Sequence, residues 1–237
     1  MSERLYFRRW LAGRDFARDD DLAGPMRNFV YALGDRESGE AVIVDPAYRP
    51  GELIDLLAAD GLELAGVLGT HYHPDHIGGD LMGHRVAGVA ELLALADVPV
   101  HIQRDEVEWV VKRTGVSRDH LVAHVPGDRV SVGDIPIELI HTPGHTPGSQ
   151  CLLVEGRLIS GDTLFIDGCG RTDLPGADPE EMYRSLTQRL SAVSDDTVLC
   201  PGHDYSAEPS ALLGEVRRTN AVLAPASAQQ WLAMFAR

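Results

Sequence analysis

The sequence predicts an α/β sandwich, and three observations carry that prediction. Short apolar runs bounded by glycine, proline or aspartate recur along the 237 residues, and segments with apolar side chains at every third or fourth position lie between them. The hydrophobic content, 44%, is ordinary for a chain that buries one sizeable core. Prolines and glycines are spread among the loops, and no linker, low-complexity tract or short-period repeat interrupts the pattern. Residues 1–237 are therefore read as one domain.

The elements follow in order. Phe29 to Leu33 and Ala41 to Val44 are expected to pair as strands around the turn from Gly34 to Gly39, with Asp45-Pro46 closing the second. Gly51 to Asp60 has helical spacing and would bury Leu53, Ile54, Leu56 and Leu57. Leu64 to Leu68 reads as a buried strand. From Gly78 to about Val125 (residues 78–125) the expectation is an inserted helical segment, with helices at Val86 to Leu95 and Asp105 to Arg113 around a strand at Val98 to Ile102. It is a candidate wall of a substrate pocket, and Trp109 within it weighs more as core than as a substrate contact. Ile135 to Ile140, Leu158 to Ile159 and Val198 to Cys200 read as strands. Asp178-Pro-Glu-Glu-Met182 has the acidic, proline-containing first turn of a helix expected to reach Leu190. Pro209 to Thr219 and Ala228 to Ala236 are expected to be helices near the end of the chain.

The chemistry concentrates in Thr70-His71-Tyr72-His73-Pro74-Asp75-His76, where three imidazoles and a carboxylate directly follow a strand. Packing is a poor account of such crowding, because each neutral imidazole needs a hydrogen-bond partner or water. Imidazole nitrogen and carboxylate oxygen are donors that Zn²⁺ and Fe²⁺ favour, and four of them could build two adjacent sites. Three later segments put further donors at strand ends beside glycine turns: His141-Thr-Pro-Gly-His145, Ser160-Gly-Asp162 and Pro201-Gly-His203-Asp-Tyr205. His84, His101, His120, His124 and His141 are read as non-ligands.

With five separate segments in the expected order from about Phe29 to Tyr205, these four among them, the chain resembles the metallo-β-lactamase fold hydrolases and their relatives. The resemblance implies a four-layer αββα sandwich. It also implies that His71, His73 and His145 bind a first metal ion, that Asp75, His76 and His203 bind a second, and that Asp162 bridges them. In the hydrolase members a hydroxide held between the ions attacks a carbonyl carbon, which makes Asp75 and Asp162 catalytic candidates. A bound divalent ion lowers the pKa of its water from about 15.7 toward about 7, so no serine or cysteine nucleophile is needed. Gly168-Cys-Gly-Arg171-Thr-Asp173 looks like a loop found in both short glyoxalase II-like hydrolases and persulfide dioxygenases. Arg171 could brace that loop by pairing with an aspartate or fix a substrate carboxylate. Arg171 and Tyr205 are the substrate-binding candidates.

Two reaction classes stay open. In the first, two divalent ions, Zn²⁺ or a zinc and iron mixture, support hydrolysis of a thioester or related ester, as in glyoxalase II. In the second, one Fe²⁺ held by His71, His145 and Asp162 supports oxidation of a persulfide, since two histidines and one carboxylate suit non-haem iron. Pro74 stands where the dioxygenases usually carry a small residue. Lys112 is the only lysine, so the usual lysine contacts of glyoxalase II to its thiol substrate have no obvious source.

Composition narrows the partners. A net charge of −15 without any Lys/Arg-rich run disfavours nucleic acid and leaves a small molecule, such as a low-molecular-weight thiol conjugate, as the expected substrate. Cys151, Cys169 and Cys200 are odd in number and widely spaced, which does not suggest a disulfide framework; a reducing, cytoplasmic setting is the expectation. Met1 to Gly13 has arginines among its apolar residues and reads as neither a leader nor a membrane span. Nothing in the sequence specifies an oligomeric state.

Overall fold

A computed structural model describes residues 3–235. The first half runs β1 (Leu5–Leu11), α1 (Ala23–Met26), β2 (Phe29–Asp35), β3 (Glu40–Val44), α2 (Pro50–Ala59), β4 (Glu63–Leu68), α3 (Pro74–Ile77), β5 (Gly79–Leu81), β6 (His84–Val86), α4 (Val89–Leu93), β7 (Val100–Gln103), α5 (Val107–Thr114) and β8 (Leu121–His124). The second half runs β9 (Arg129–Val132), β10 (Ile135–His141), β11 (Gln150–Val154), β12 (Arg157–Gly161), α6 (Pro179–Arg184), β13 (Val198–Pro201), β14 (Ala211–Leu212), α7 (Leu213–Thr219) and α8 (Ala228–Phe235).

Two six-stranded sheets result, in the orders β1-β2-β3-β4-β7-β8 and β14-β13-β12-β11-β10-β9. Strand alternation explains why they stack. Phe29, Tyr31 and Leu33 of β2 and Val42 and Val44 of β3 meet Ile135, Ile137 and Leu139 of β10 and Leu152 and Val154 of β11 between the sheets. The intervening residues Val30, Ala32, Ala41 and Ile43 face outward and pack on Leu53 and Leu57 of α2. On the far side, Cys151, Leu158 and Leu199 turn away from the inter-sheet layer to meet Met182, Leu213 and Trp231 of the helices there. Each central strand is therefore apolar on both faces, which is why these segments read as continuous hydrophobic runs. Helix, sheet, sheet, helix is the four-layer order the resemblance implies.

The 78–125 segment carries its two helices, but it is also built into the first sheet. β7 and β8 extend that sheet in parallel beyond β4, pairing Leu68 with His101 and Val100 with Leu121. Val86 belongs to the β5–β6 hairpin opposite Gly79, so α4 starts later than expected, at Val89, where Glu91 accepts from the Gly88 backbone N–H at 2.8 Å. The helix expected from Pro209 begins only at Leu213, because Ala211 and Leu212 pair with Leu199 and Val198 at the edge of the second sheet. Asp178 caps α6 through the amides of Glu180 and Glu181 at 2.9 and 3.0 Å, and the chain continues as a π turn over Ser185–Arg189 and a 3₁₀ turn over Leu190–Ala192. The last helix reaches Phe235; Ala236 lies outside the described residues.

Candidate metal centre

The seven residues singled out in the sequence come together at the strand ends of both sheets. His71 follows β4, His73 caps α3 while Asp75 and His76 lie within its single turn, and His145, Asp162 and His203 follow β10, β12 and β13. His71, His73 and His145 form one cluster whose ligand atoms lie within 4.8 Å of one another; Asp75, His76 and His203 form another. Each cluster draws two residues from the first half of the chain and one from the second.

The hydrogen bonds behind the rings indicate which nitrogens face inward. His76 Nδ1 lies 2.9 Å from Asp45 Oδ2, His145 Nδ1 2.8 Å from the Arg171 carbonyl, and His203 Nδ1 2.8 Å from the Met26 carbonyl. Thr70 Oγ1 donates to Asp45 Oδ2 at 2.6 Å and so can accept from His71 Nδ1 at 3.0 Å. These acceptors favour a proton on Nδ1 of all four rings and leave Nε2 facing the site, as a lone pair where the ring is neutral and as a second, displaceable proton where it is charged. His73 is reversed: its Nδ1 approaches His71 Nε2 at 3.1 Å and His145 Nε2 at 2.9 Å. Likewise His76 Nε2 and His203 Nε2 are 3.2 Å apart. Converging lone pairs at such distances repel unless a proton or cation lies among them, and a divalent ion satisfies them all.

Asp162 lies between the clusters. Its Oδ1 is 3.4 Å from His76 Nε2, and its Oδ2 is 3.3 Å from His203 Nε2 and 3.7 Å from His145 Nε2. Oδ1 is buried with no hydrogen-bond partner among the described residues, a costly state that a cation would relieve. Glycines make room for this carboxylate. A Cβ on Gly202 would lie 2.5 Å from Asp162 Oδ1, and one on Gly170 would lie 2.0 Å from the Asp162 carbonyl and 2.8 Å from His145 Nδ1. The donor set, the unpaired oxygen and the missing side chains all fit divalent ions.

Electrostatics divide the two clusters. Burial and then the neighbouring imidazoles push His71 well below the usual histidine range, and burial with His145 takes His73 to about 3. Burial opposes protonation of His76 too, but Asp162, Asp75 and Asp45 outweigh it and raise His76 to about 10. His203 is raised against burial by Asp162, and Asp162 itself is held well below the carboxylate range by His203 and His76 despite burial.

Several polar residues in this network carry no motif of their own. Asp45 also accepts from the Thr70 backbone N–H at 2.7 Å, so both its oxygens are engaged behind the ligand-bearing turn. Asn28 donates to Asp75 Oδ2 at 3.1 Å, and its orientation is set by the Tyr48 hydroxyl, which donates to Asn28 Oδ1 at 2.7 Å. Glu106 is buried, and its Oε1 accepts from Thr146 Oγ1 at 2.6 Å and the Gly148 N–H at 2.7 Å, anchoring the loop that bears His145; burial raises its carboxyl to about 7. The available signal was a charged residue beside an apolar run, as with Asp45 after β3.

A cavity of about 690 Å³ opens onto the centre. Its lining includes His73, Asp75, His145, Asp162, Arg171 and Tyr205. Tyr205 is exposed and stacks on His203 with ring centroids 4.6 Å apart. Arg171 braces the loop, its guanidinium paired with Asp173 at 2.9 and 3.0 Å. Trp109 stacks on Tyr72 at 4.7 Å, behind the cavity wall. Cys169 is half-buried, and burial lifts its thiol to about 12, which makes it a poor thiolate. His141 Nε2 is engaged by the Pro147 carbonyl at 3.0 Å, and His101 and His124 meet each other at 2.9 Å away from the two clusters. No helix among the described residues is long and apolar enough to cross a membrane.

Comparison with known proteins agrees with this fold. Residues 23–203 match the metallo-beta-lactamase superfamily. A hydroxyacylglutathione hydrolase of Xanthomonas axonopodis pv. citri is 37% identical over 83% of this chain and 68% of its own length. The human mitochondrial persulfide dioxygenase ETHE1 is 32% identical over 81% of this chain and 70% of its own. The crystal structure of ETHE1 from Myxococcus xanthus superposes with a TM-score of 0.79 at 27% identity, covering 97% of this chain and 89% of that one. A match across most of the chain, on a four-layer frame with its donors gathered at the strand ends, places this protein in the metallo-beta-lactamase superfamily.

Proposed function

We propose that the protein is a dinuclear metal-dependent hydrolase that cleaves a thioester or related ester of a small thiol. The position of Asp162 carries the reading: one carboxylate reaches both clusters, and its Oδ1 has no hydrogen-bond partner among the described residues. His71, His73 and His145 would hold one divalent ion, Asp75, His76 and His203 a second, and Asp162 would be shared. Two such ions, when bound, make water nucleophilic at neutral pH and polarise the carbonyl oxygen.

The chain's own residues supply the rest. Asp75 faces the cavity with Oδ2 anchored by Asn28, and it can take the proton of the attacking water and return it to the departing sulfur. The C–O bond forms, the C–S bond breaks, and the thiol leaves with that proton. Asp45 keeps His76 in the tautomer that presents Nε2 inward. Tyr205 and Phe165, 5.5 Å apart, offer an aromatic corner against which a substrate can rest.

A second reading is favoured by the resemblance to persulfide dioxygenases over nearly the whole chain. Here His71, His145 and Asp162 would hold one Fe²⁺ and the substrate would be a persulfide. Metal analysis with paired assays separates the two. Two divalent ions per chain and thioester cleavage under nitrogen are expected; one iron per chain with persulfide-dependent oxygen uptake would replace the hydrolase by the dioxygenase.

A further inference from the structure

Arg113, in the last turn of α5, is a cavity-lining cation set apart from the rest of the site. The other arginine of the lining, Arg171, is neutralised by Asp173. Arg113 has no carboxylate partner among the described residues. Its side chain is half-buried, its Nε is inaccessible to water and has no hydrogen-bond partner among those residues, and its guanidinium lies over the Tyr72 ring at 5.7 Å. The Tyr72 hydroxyl donates to the Pro175 carbonyl at 2.6 Å and can accept from the guanidinium, but a neutral phenol oxygen leaves the charge of Arg113 uncompensated. The Tyr72 ring in turn lies 4.7 Å from that of His73, so the guanidinium is two contacts from the metal centre along one wall of the cavity.

Removing a guanidinium donor from water without a partner is unfavourable, and the field at the end of a short helix offsets only a part of it. A planar fork of donors matches a carboxylate in geometry and charge. In a chain with a net charge of −15, a cation left unneutralised beside the reaction centre singles out a place for an anion.

We infer that Arg113 is a specificity-determining residue that binds a carboxylate carried by the substrate, on the cavity wall formed with Tyr72. The assignment rests on the hydrolase reading for the reacting bond, but the recognition itself concerns only the anion. The substrate class is thereby narrowed to thioesters whose acyl or thiol part bears a free carboxylate.

The test uses the metal-loaded full chain and a ligand pair that cannot be hydrolysed: the thioether 3-(benzylthio)propionate and its primary amide. Equilibrium binding is expected to favour the acid by about tenfold or more. Arg113→Met should bring the two to within about twofold, and Arg113→Lys should keep part of the preference. Equal binding of acid and amide to the unaltered protein would overturn the inference whatever the variants do. Retention of the full preference by Arg113→Met would also overturn it, by assigning the carboxylate to the metal ions. Two cleavable acid and amide pairs, built on 3-mercaptopropionate as the thiol or on succinate as the acyl group, then locate the anion. The pair whose KM preference disappears in Arg113→Met, with kcat kept, names the part. Loss of all thioester cleavage with the binding preference intact would sink the hydrolase reading and leave Arg113 standing.

Discussion

The two proposed ligand clusters use the same kinds of donor but rest in opposite electrostatic surroundings. His71, His73 and His145 sit chiefly among other imidazoles, and burial with mutual repulsion keeps their protons off at neutral pH. His76 and His203 sit among Asp45, Asp75 and Asp162, which draw protons onto them. The lesson is that ligand identity does not fix readiness. The first set presents free lone pairs, whereas the second must exchange protons for its ion.

The largest expected effect removes what the two clusters share. Asp162→Ala should lower kcat/KM by roughly 10³-fold or more, since several kcal/mol of charge stabilisation depend on it. His145→Ala and His203→Ala should each follow with a loss of about a hundredfold or more and about one equivalent of metal. A severe His145→Ala beside a mild His203→Ala would break the equivalence of the clusters and favour the single-iron chemistry.

A smaller effect sharpens the contrast from behind the ligands. Asp45→Asn keeps the shape but removes the charge that holds both Thr70 and His76, so metal affinity or activity is expected to fall about 10–100-fold. Competitive chelator titration measures it, and an unchanged affinity for both equivalents would show that the outer carboxylate does not tune the second cluster.

The smallest concerns Glu106, behind the first cluster. Burial raises its carboxyl from 4.5 to about 7, so between those values the folded protein keeps a proton that the unfolded chain has released. That contribution to stability is fully present below about pH 4.5 and declines as pH rises to about 7. Glu106→Gln stays neutral throughout and should flatten this part of the decline by roughly 2–3 kcal/mol. Denaturant midpoints at about pH 5 and about pH 7.5 check it, and parallel shifts in both proteins would contradict a buried acid titrating there.

The proposed ligand set could be picked out because its members lie in compact motifs: four within His71 to His76, the others beside glycines at strand ends. Asp45 was not, because its meaning comes from His76, 31 residues away. Asn28 gains its role only when Tyr48 and Asp75 arrive from other elements. The central strands were legible through burial on both faces. β1 was missed because Arg8 and Arg9 break its apolar run, although the Arg9 guanidinium packs over the Phe29 ring at 4.8 Å. β7 was anticipated as a strand, but its place in the first sheet depends on parallel pairing with β4, which local sequence does not encode.

Each cluster takes two members from the first half of the chain and its third from the second. A nascent chain that has emerged only as far as β9 therefore carries both pairs of donors and neither complete set. If these clusters hold the proposed ions, reactivity would wait for closure of the two halves, and the fold would act as its own safety catch: an unfinished molecule would offer no competent centre to a substrate.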